Sequence, residues 1–163
     1  MMNRHSLKSG VAAYLLTLLS MLSGAAAACT IGEEVQVQFP LNTTTFSNSD
    51  RVAIAKSVVE AKKWPDVKIK AIVISGAYIH EKDIEKLKDA RADNTKFYLQ
   101  QLGISAENIF IDKKTFTDEM VEKRSDGTVD IRQVIVELTP ICKGSCAWMC
   151  NDPRVTPRSK TIN

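Results

Sequence analysis

The sequence predicts an α/β sandwich of the α+β class, with element order β-α-β-α-β-β and two helices packed on one sheet. Three observations predict it. Val67 to Ser75 alternates at first (Val67, Lys68, Ile69, Lys70) and is then continuously apolar through Ala71, Ile72, Val73 and Ile74, the pattern of a central strand buried on both faces. Asp83 to Leu102 carries Ile84, Leu87, Arg91, Asn94, Tyr98 and Gln101 at spacings of three and four, the period of a helix, with Phe97, Leu99 and Leu102 widening the apolar stripe near the end. Strand-like and helix-like segments alternate on either side of these two, as they do when helices cover a sheet.

The elements follow in order. Val35, Val37 and Phe39 alternate with Gln36 and Gln38 as a half-buried strand that Pro40 ends. After a polar loop, Ser47, Asn48 or Ser49 offers a side-chain oxygen to cap a helix. In that helix Val52, Ile54, Ala55, Val58 and Val59 recur at helical spacing, and Trp64-Pro65-Asp66 breaks it. Gly76 is the expected stop of the central strand, and Gly103 that of the long helix. Ile109 to Ile111 is a short third strand, Lys113 to Thr128 a polar loop or irregular hairpin, and Val129 to Leu138 a fourth strand with Val134, Val136 and Leu138 on one face. Beyond Pro140 the chain is rich in cysteine, and Pro153 and Pro157 interrupt a basic end expected to be extended and tied down by disulfides.

Residues 1–28 have the three parts of a secretory signal. Arg4, His5 and Lys8 form a basic start, Val11 to Leu22 is almost wholly apolar, and Ala26 and Ala28 are small residues at the −3 and −1 positions of a cleavage site. The apolar run is shorter than the ~20 residues that span a bilayer. The chain therefore divides into a signal peptide (1–28), a domain (29–140) and a Cys-rich tail (141–163), and its expected place is the periplasm. Cleavage exposes Cys29 and raises a lipid anchor there. Ala26 stands where a lipoprotein signal normally has an aliphatic residue, which disfavours that anchor. No second long apolar stretch follows.

Without the signal's two basic residues the chain holds 20 basic and 19 acidic side chains, a net charge of +1. That balance speaks against a nucleic-acid partner, which demands a strongly basic surface. Cys29, Cys142, Cys146 and Cys150 are an even number in an exported chain and read as two disulfides. The rival reading of Cys142, Cys146 and Cys150 is a metal site, but it lacks the usual two-residue spacing and a nearby His. His80 is the single His after the signal, and there is neither a G-x-S-x-G motif nor a glycine-rich phosphate loop. Nothing in this inventory points to an enzyme or to a cofactor.

From Val35 to Leu138 the sequence resembles the OmpA-like peptidoglycan-binding domains. The likeness rests on Phe39 ending the first strand, Ile72-Val73-Ile74-Ser75-Gly76, Arg91-Ala92, Tyr98-Leu99, Gly103-Ile104 and Asp130-Ile131-Arg132-Gln133-Val134, in that order. The resemblance implies a mixed sheet and a non-catalytic domain that binds the diaminopimelate of the peptidoglycan stem peptide. A helix Arg, here Arg91, would grip the ligand carboxylate through a forked pair of charge-assisted hydrogen bonds, and Arg132 matches a later basic residue. The family Asp that receives the ligand ammonium is not matched, because Ile79 stands in its place. Glu81 and Asp83 are the acids that could substitute from a shifted loop. The alternative is a domain that kept the fold, lost the ligand, and serves an envelope protein partner, with Trp148 and Met149 as candidate contacts. Because the family's first and last strands are neighbours, the resemblance also implies one disulfide from Cys29 to the C-terminal cluster and one within the cluster.

Overall fold

A computed structural model describes residues 29–160, so the expected signal peptide (1–28) lies outside the described residues. The central sheet has four strands: β2 (Glu33–Val37), β3 (Lys68–Tyr78), β4 (Ile109–Phe116) and β7 (Val134–Ile141), in the order β2-β7-β3-β4. β7 runs antiparallel to both β2 and β3, whereas β3 and β4 are parallel, so the sheet is mixed. Helices α1 (Asn48–Ala61) and α2 (Ile84–Gln101) supply the connections before and after β3. Their apolar faces meet one side of the sheet. Val37, Ala71, Val73, Val134, Val136 and Leu138 form one core with Ile54, Val58 and Ala61 of α1 and Leu99 of α2.

Helix α1 begins at Ser47, one of the three expected caps. The Asp50 N–H donates to Ser47 Oγ, and the Ser47 N–H donates to Asp50 Oδ2, a reciprocal box. The helix buries Ile54, Val58 and Ala61, while Val52 and Val59, which share the same spacing rule, face outward. Helix α2 buries Leu87, Arg91 and Leu99 of the expected stripe but not all of it. Its buried residues are Leu87, Lys88, Arg91, Ala92, Thr95 and Leu99, and Asn94, Phe97 and Gln101 are exposed. The small Ala92 and Thr95 allow the helix close to the sheet, where Ser75 Oγ donates to the Lys88 carbonyl at 2.7 Å. Gly103, at φ +87°, follows the helix as its stop.

Three boundaries differ from expectation. Gly76 does not end β3; the strand continues to Tyr78, because its parallel ladder with β4 runs on to Tyr78 and Phe116. β4 is correspondingly longer than Ile109–Ile111. It lies at the sheet edge, so Asp112, Lys113 and Lys114 sit in water and carry no apolar alternation to betray a strand. The last long strand starts at Val134. Val129–Asp130 (β6) instead pairs with Glu122–Lys123 (β5) in a small hairpin of its own.

The tail is packed, not extended. A short 3-10 turn (Ala147–Asn151) drives Met149 into the core, Val155 joins it, and Ser159–Lys160 (β8) pairs antiparallel with Cys29–Thr30 (β1). Disulfides join Cys29 to Cys150 and Cys142 to Cys146. Buried Met149 cannot serve a partner surface, whereas Trp148 is 46% exposed.

Candidate functional site

Arg91 leaves the buried face of α2 and ends under the loop that follows β2. Its side chain is 0% exposed. All five N–H bonds of the guanidinium are engaged. Nε donates to the Thr43 carbonyl at 3.0 Å, and one terminal nitrogen donates to the same oxygen at 2.8 Å and to Glu81 Oε1 at 2.6 Å. The other terminal nitrogen donates to the Gly76 carbonyl at 2.8 Å and to Glu81 Oε2 at 2.9 Å. The guanidinium also stacks on Phe39, 5.2 Å from the ring centroid.

Glu81 is equally sealed, with its side chain 0% exposed. Besides the fork from Arg91, its carboxylate accepts from the Asn42 N–H at 2.7 Å and the Tyr78 N–H at 2.8 Å. Asn42, in the left-handed region at φ +62°, closes the loop over it by accepting the Lys82 N–H on Oδ1 at 2.6 Å. Burial pushes the Glu81 carboxyl up. The hydrogen bonds from Arg91 and the two main-chain N–H groups together outweigh burial and hold it below the ordinary carboxylate range.

The Arg91 guanidinium is therefore sealed from solvent, and Glu81 takes it, not a ligand ammonium. The other two expected site residues stand elsewhere. Asp83 occupies the N-cap of α2 in the left-handed region, largely exposed, 3.9 Å from Lys86. Arg132 pairs with Asp130 and with Gln38 Oε1, at the edge of the β5–β6 hairpin. Ile79, at the place of the family Asp, is 47% exposed. The structure thus brings Arg91 and Glu81 together and leaves Asp83 and Arg132 apart from them.

The groove beside this pair holds about 400 Å³ and is lined by Thr44, Phe46, Arg51, Asn94, Phe97 and Tyr98 among others, without Arg91. A second cluster of titratable groups lies at the exposed end of β3. There the Tyr78 hydroxyl donates to Asp118, with His80 Nε2 3.1 Å and Lys123 Nζ 2.8 Å from the same carboxylate. Lys123, then Tyr78 and His80, hold the Asp118 carboxyl well below its usual range. This cluster ties the hairpin to the sheet and contains no activated nucleophile. Among the described residues no group of three or more His, Cys, Asp or Glu is placed to hold a metal ion, and the cysteine sulfurs are in disulfides, not thiolates. A Cys29 sulfur bonded to Cys150 is not free for a lipid thioether. Among the described residues no helix is long and apolar enough to cross a membrane.

The element order and the two helices on one mixed four-stranded sheet are those that the resemblance implied. The fold is α+β, two helices on a mixed sheet of four strands. Among solved structures the chain is similar to the OmpA-like domain of FopA1 from Francisella tularensis subsp. tularensis SCHU S4. The identity is 17%, 72% of this chain and 75% of that chain are covered, and the TM-score is 0.48. No family model matches the sequence, and no curated protein matches it. The buried pair was half visible in the sequence. Arg91 stood out through its motif, and Glu81 was one of two acids near the right loop. The partnership between them had no linear signal.

Proposed function

We propose that this chain is an exported, non-catalytic OmpA-like domain of the bacterial envelope that works as a structural or protein-interaction module instead of gripping peptidoglycan peptides. The observation that carries this reading is the closed guanidinium: Arg91 has no N–H left for a ligand carboxylate, and Glu81 already neutralises it. An incoming peptide would have to break a buried, fully hydrogen-bonded ion pair before gaining any contact, which typically costs about 3–5 kcal/mol. Export is supported by the signal pattern of residues 1–28 and by two disulfides, which persist in an oxidising compartment.

Co-sedimentation of the oxidised chain with purified sacculi tests the reading, using a domain of proven wall affinity as control. The expected result is no retention. Retention that free diaminopimelate competes away would overturn the proposal in favour of wall binding. N-terminal sequencing of the exported chain is expected to start at Cys29 with an unmodified residue.

A further inference from the structure

We propose that the free edge of β4 is a homodimer interface, and that its partner is the same strand of a second copy of this chain, paired antiparallel about a two-fold axis at Lys113. β4 is an end strand of the four-stranded sheet, and Phe110 to Lys114 are exposed without a break. Its ladder with β3 runs without a bulge from Ile109 to Phe116, and the Phe116 carbonyl accepts the Ile79 N–H on the β3 side at 2.9 Å. The main-chain groups of a strand point alternately to its two sides. Those of Phe110, Asp112, Lys114 and Phe116 therefore face β3, and those of Ile111, Lys113 and Thr115 face outward. Among the described residues no other segment hydrogen-bonds to the outward groups. An unpaired edge of this length is a template for another strand.

Charge decides which strand fits. Self-pairing sets outward residues against outward residues, so the two-fold axis falls at Ile111, Asp112, Lys113 or Lys114. At Asp112 or Lys114 it sets a charge against its own copy, and at Ile111 it sets Asp112 against Phe110. At Lys113 it sets Asp112 against the second copy's Lys114 and, by symmetry, Lys114 against the second copy's Asp112. Opposite charges placed directly across a strand pair stabilise it, and like charges do the reverse. This register also sets Ile111 against the second copy's Thr115, so every outward main-chain group finds a partner. Within one chain Lys114 Nζ lies 3.0 Å from Asp112 Oδ2, and the second copy closes these charges into an alternating ring on the face away from the helices. On the helix side Lys113 meets its own copy, but Asp89 of its own α2 already pairs with it. The inference deepens the module reading by naming a partner, and it uses no feature of the Arg91 clamp.

Sedimentation equilibrium of the oxidised chain over a concentration series tests it, and a monomer–dimer equilibrium is the expected result. Asp112→Lys and Lys114→Asp, each alone, set like charges opposite each other twice and should raise the dimer Kd about tenfold or more. Mixed in equal amounts, these two variants should dimerise with each other, because the acids of one then face the bases of the other. Lys113→Pro, which an edge strand tolerates, removes the central outward N–H and should abolish the dimer. An unchanged Tm in dilute solution shows that each variant still folds, and if Lys113→Pro does not, the charge variants decide alone. A natural chain that stays monomeric to about 1 mM would overturn the inference, as would a dimer indifferent to both charge reversals or a mixture that does not recover. A monomer that is not retained on sacculi sinks the dimer and leaves the module reading standing. A charge-dependent dimer whose retention on sacculi is competed away by diaminopimelate does the reverse.

Discussion

Gln133 completes the first strand as if it were main chain. Its Oε1 accepts the Phe39 N–H at 2.8 Å, and its Nε2 donates to the Phe39 carbonyl at 3.0 Å. β2 ends at Val37, so Phe39 has no ladder partner, yet it is buried beneath Arg91. The amide of Gln133 supplies the missing pair and so fixes the ring on which the guanidinium stacks.

Replacing Gln133 by Leu keeps the volume and removes both bonds. Two buried main-chain groups then lose their partners, and the domain is expected to lose about 2–4 kcal/mol. Urea denaturation measures this, and a loss under about 0.5 kcal/mol would show that Phe39 does not depend on Gln133.

Gly76 lies beneath the ring of Phe116. A Cβ at position 76 would stand 1.8 Å from one ring carbon and 2.6 Å from the next. Gly76→Ala is expected to destabilise by about 1–3 kcal/mol through overpacking. The same substitution in a Phe116→Ala background should cost much less. A double-mutant cycle with no coupling would mean that Gly76 is required for some reason other than this ring.

The Glu81 carboxyl sits below its unfolded range, so the folded chain holds it ionised. Its stabilising contribution is complete above the unfolded pKa, near 4.5, and fades as the pH falls towards the depressed folded value. Stability should therefore fall as the pH drops below that unfolded value. Glu81→Gln should flatten that limb, because it has no proton to take up. Surface carboxylates with lowered values, such as Asp118 and Asp130, remain in both proteins and cancel in the comparison. Parallel acid limbs in urea melts of the two proteins would refute the assignment.

The two disulfides close very different loops, with sequence separations of 121 for Cys29–Cys150 and 4 for Cys142–Cys146. In the chain-entropy account, the long closure stabilises by about 4–5 kcal/mol and the short one by about 2 kcal/mol. Paired Cys→Ser variants should lose stability in that order in chemical denaturation. A larger loss from the short bridge would mean that local packing around Met149, not loop closure, sets the ranking.

Much of the fold was legible because local chemistry dictates it. Ser47 caps α1 through bonds to Asp50, a residue three positions away, and the run Ala71-Ile72-Val73-Ile74 can bury both faces only in an interior strand. What was not legible shares one cause, dependence on a distant neighbour. The outer half of β4 is polar because it lies at an edge, and its strand character comes from pairing with Ser75 to Tyr78. Met149 and Val155 are core residues because the Cys29–Cys150 bridge and the β1–β8 pair fold the tail back on the domain.

Read alone, the sequence determined the class of the protein: its alternating elements, the outline of a secretory signal, an even set of cysteines, and a helix arginine in a familiar motif. Whether that arginine is offered to a guest was decided only in three dimensions. A guanidinium on a helix reads identically in sequence whether it faces water or a carboxylate. Here the turn after β3 carries Glu81 beneath Asn42 and against Arg91. Out of reach of water, a charge is tolerated only when it is paired and hydrogen-bonded, so the partner that the fold supplies is also the one that occupies the site.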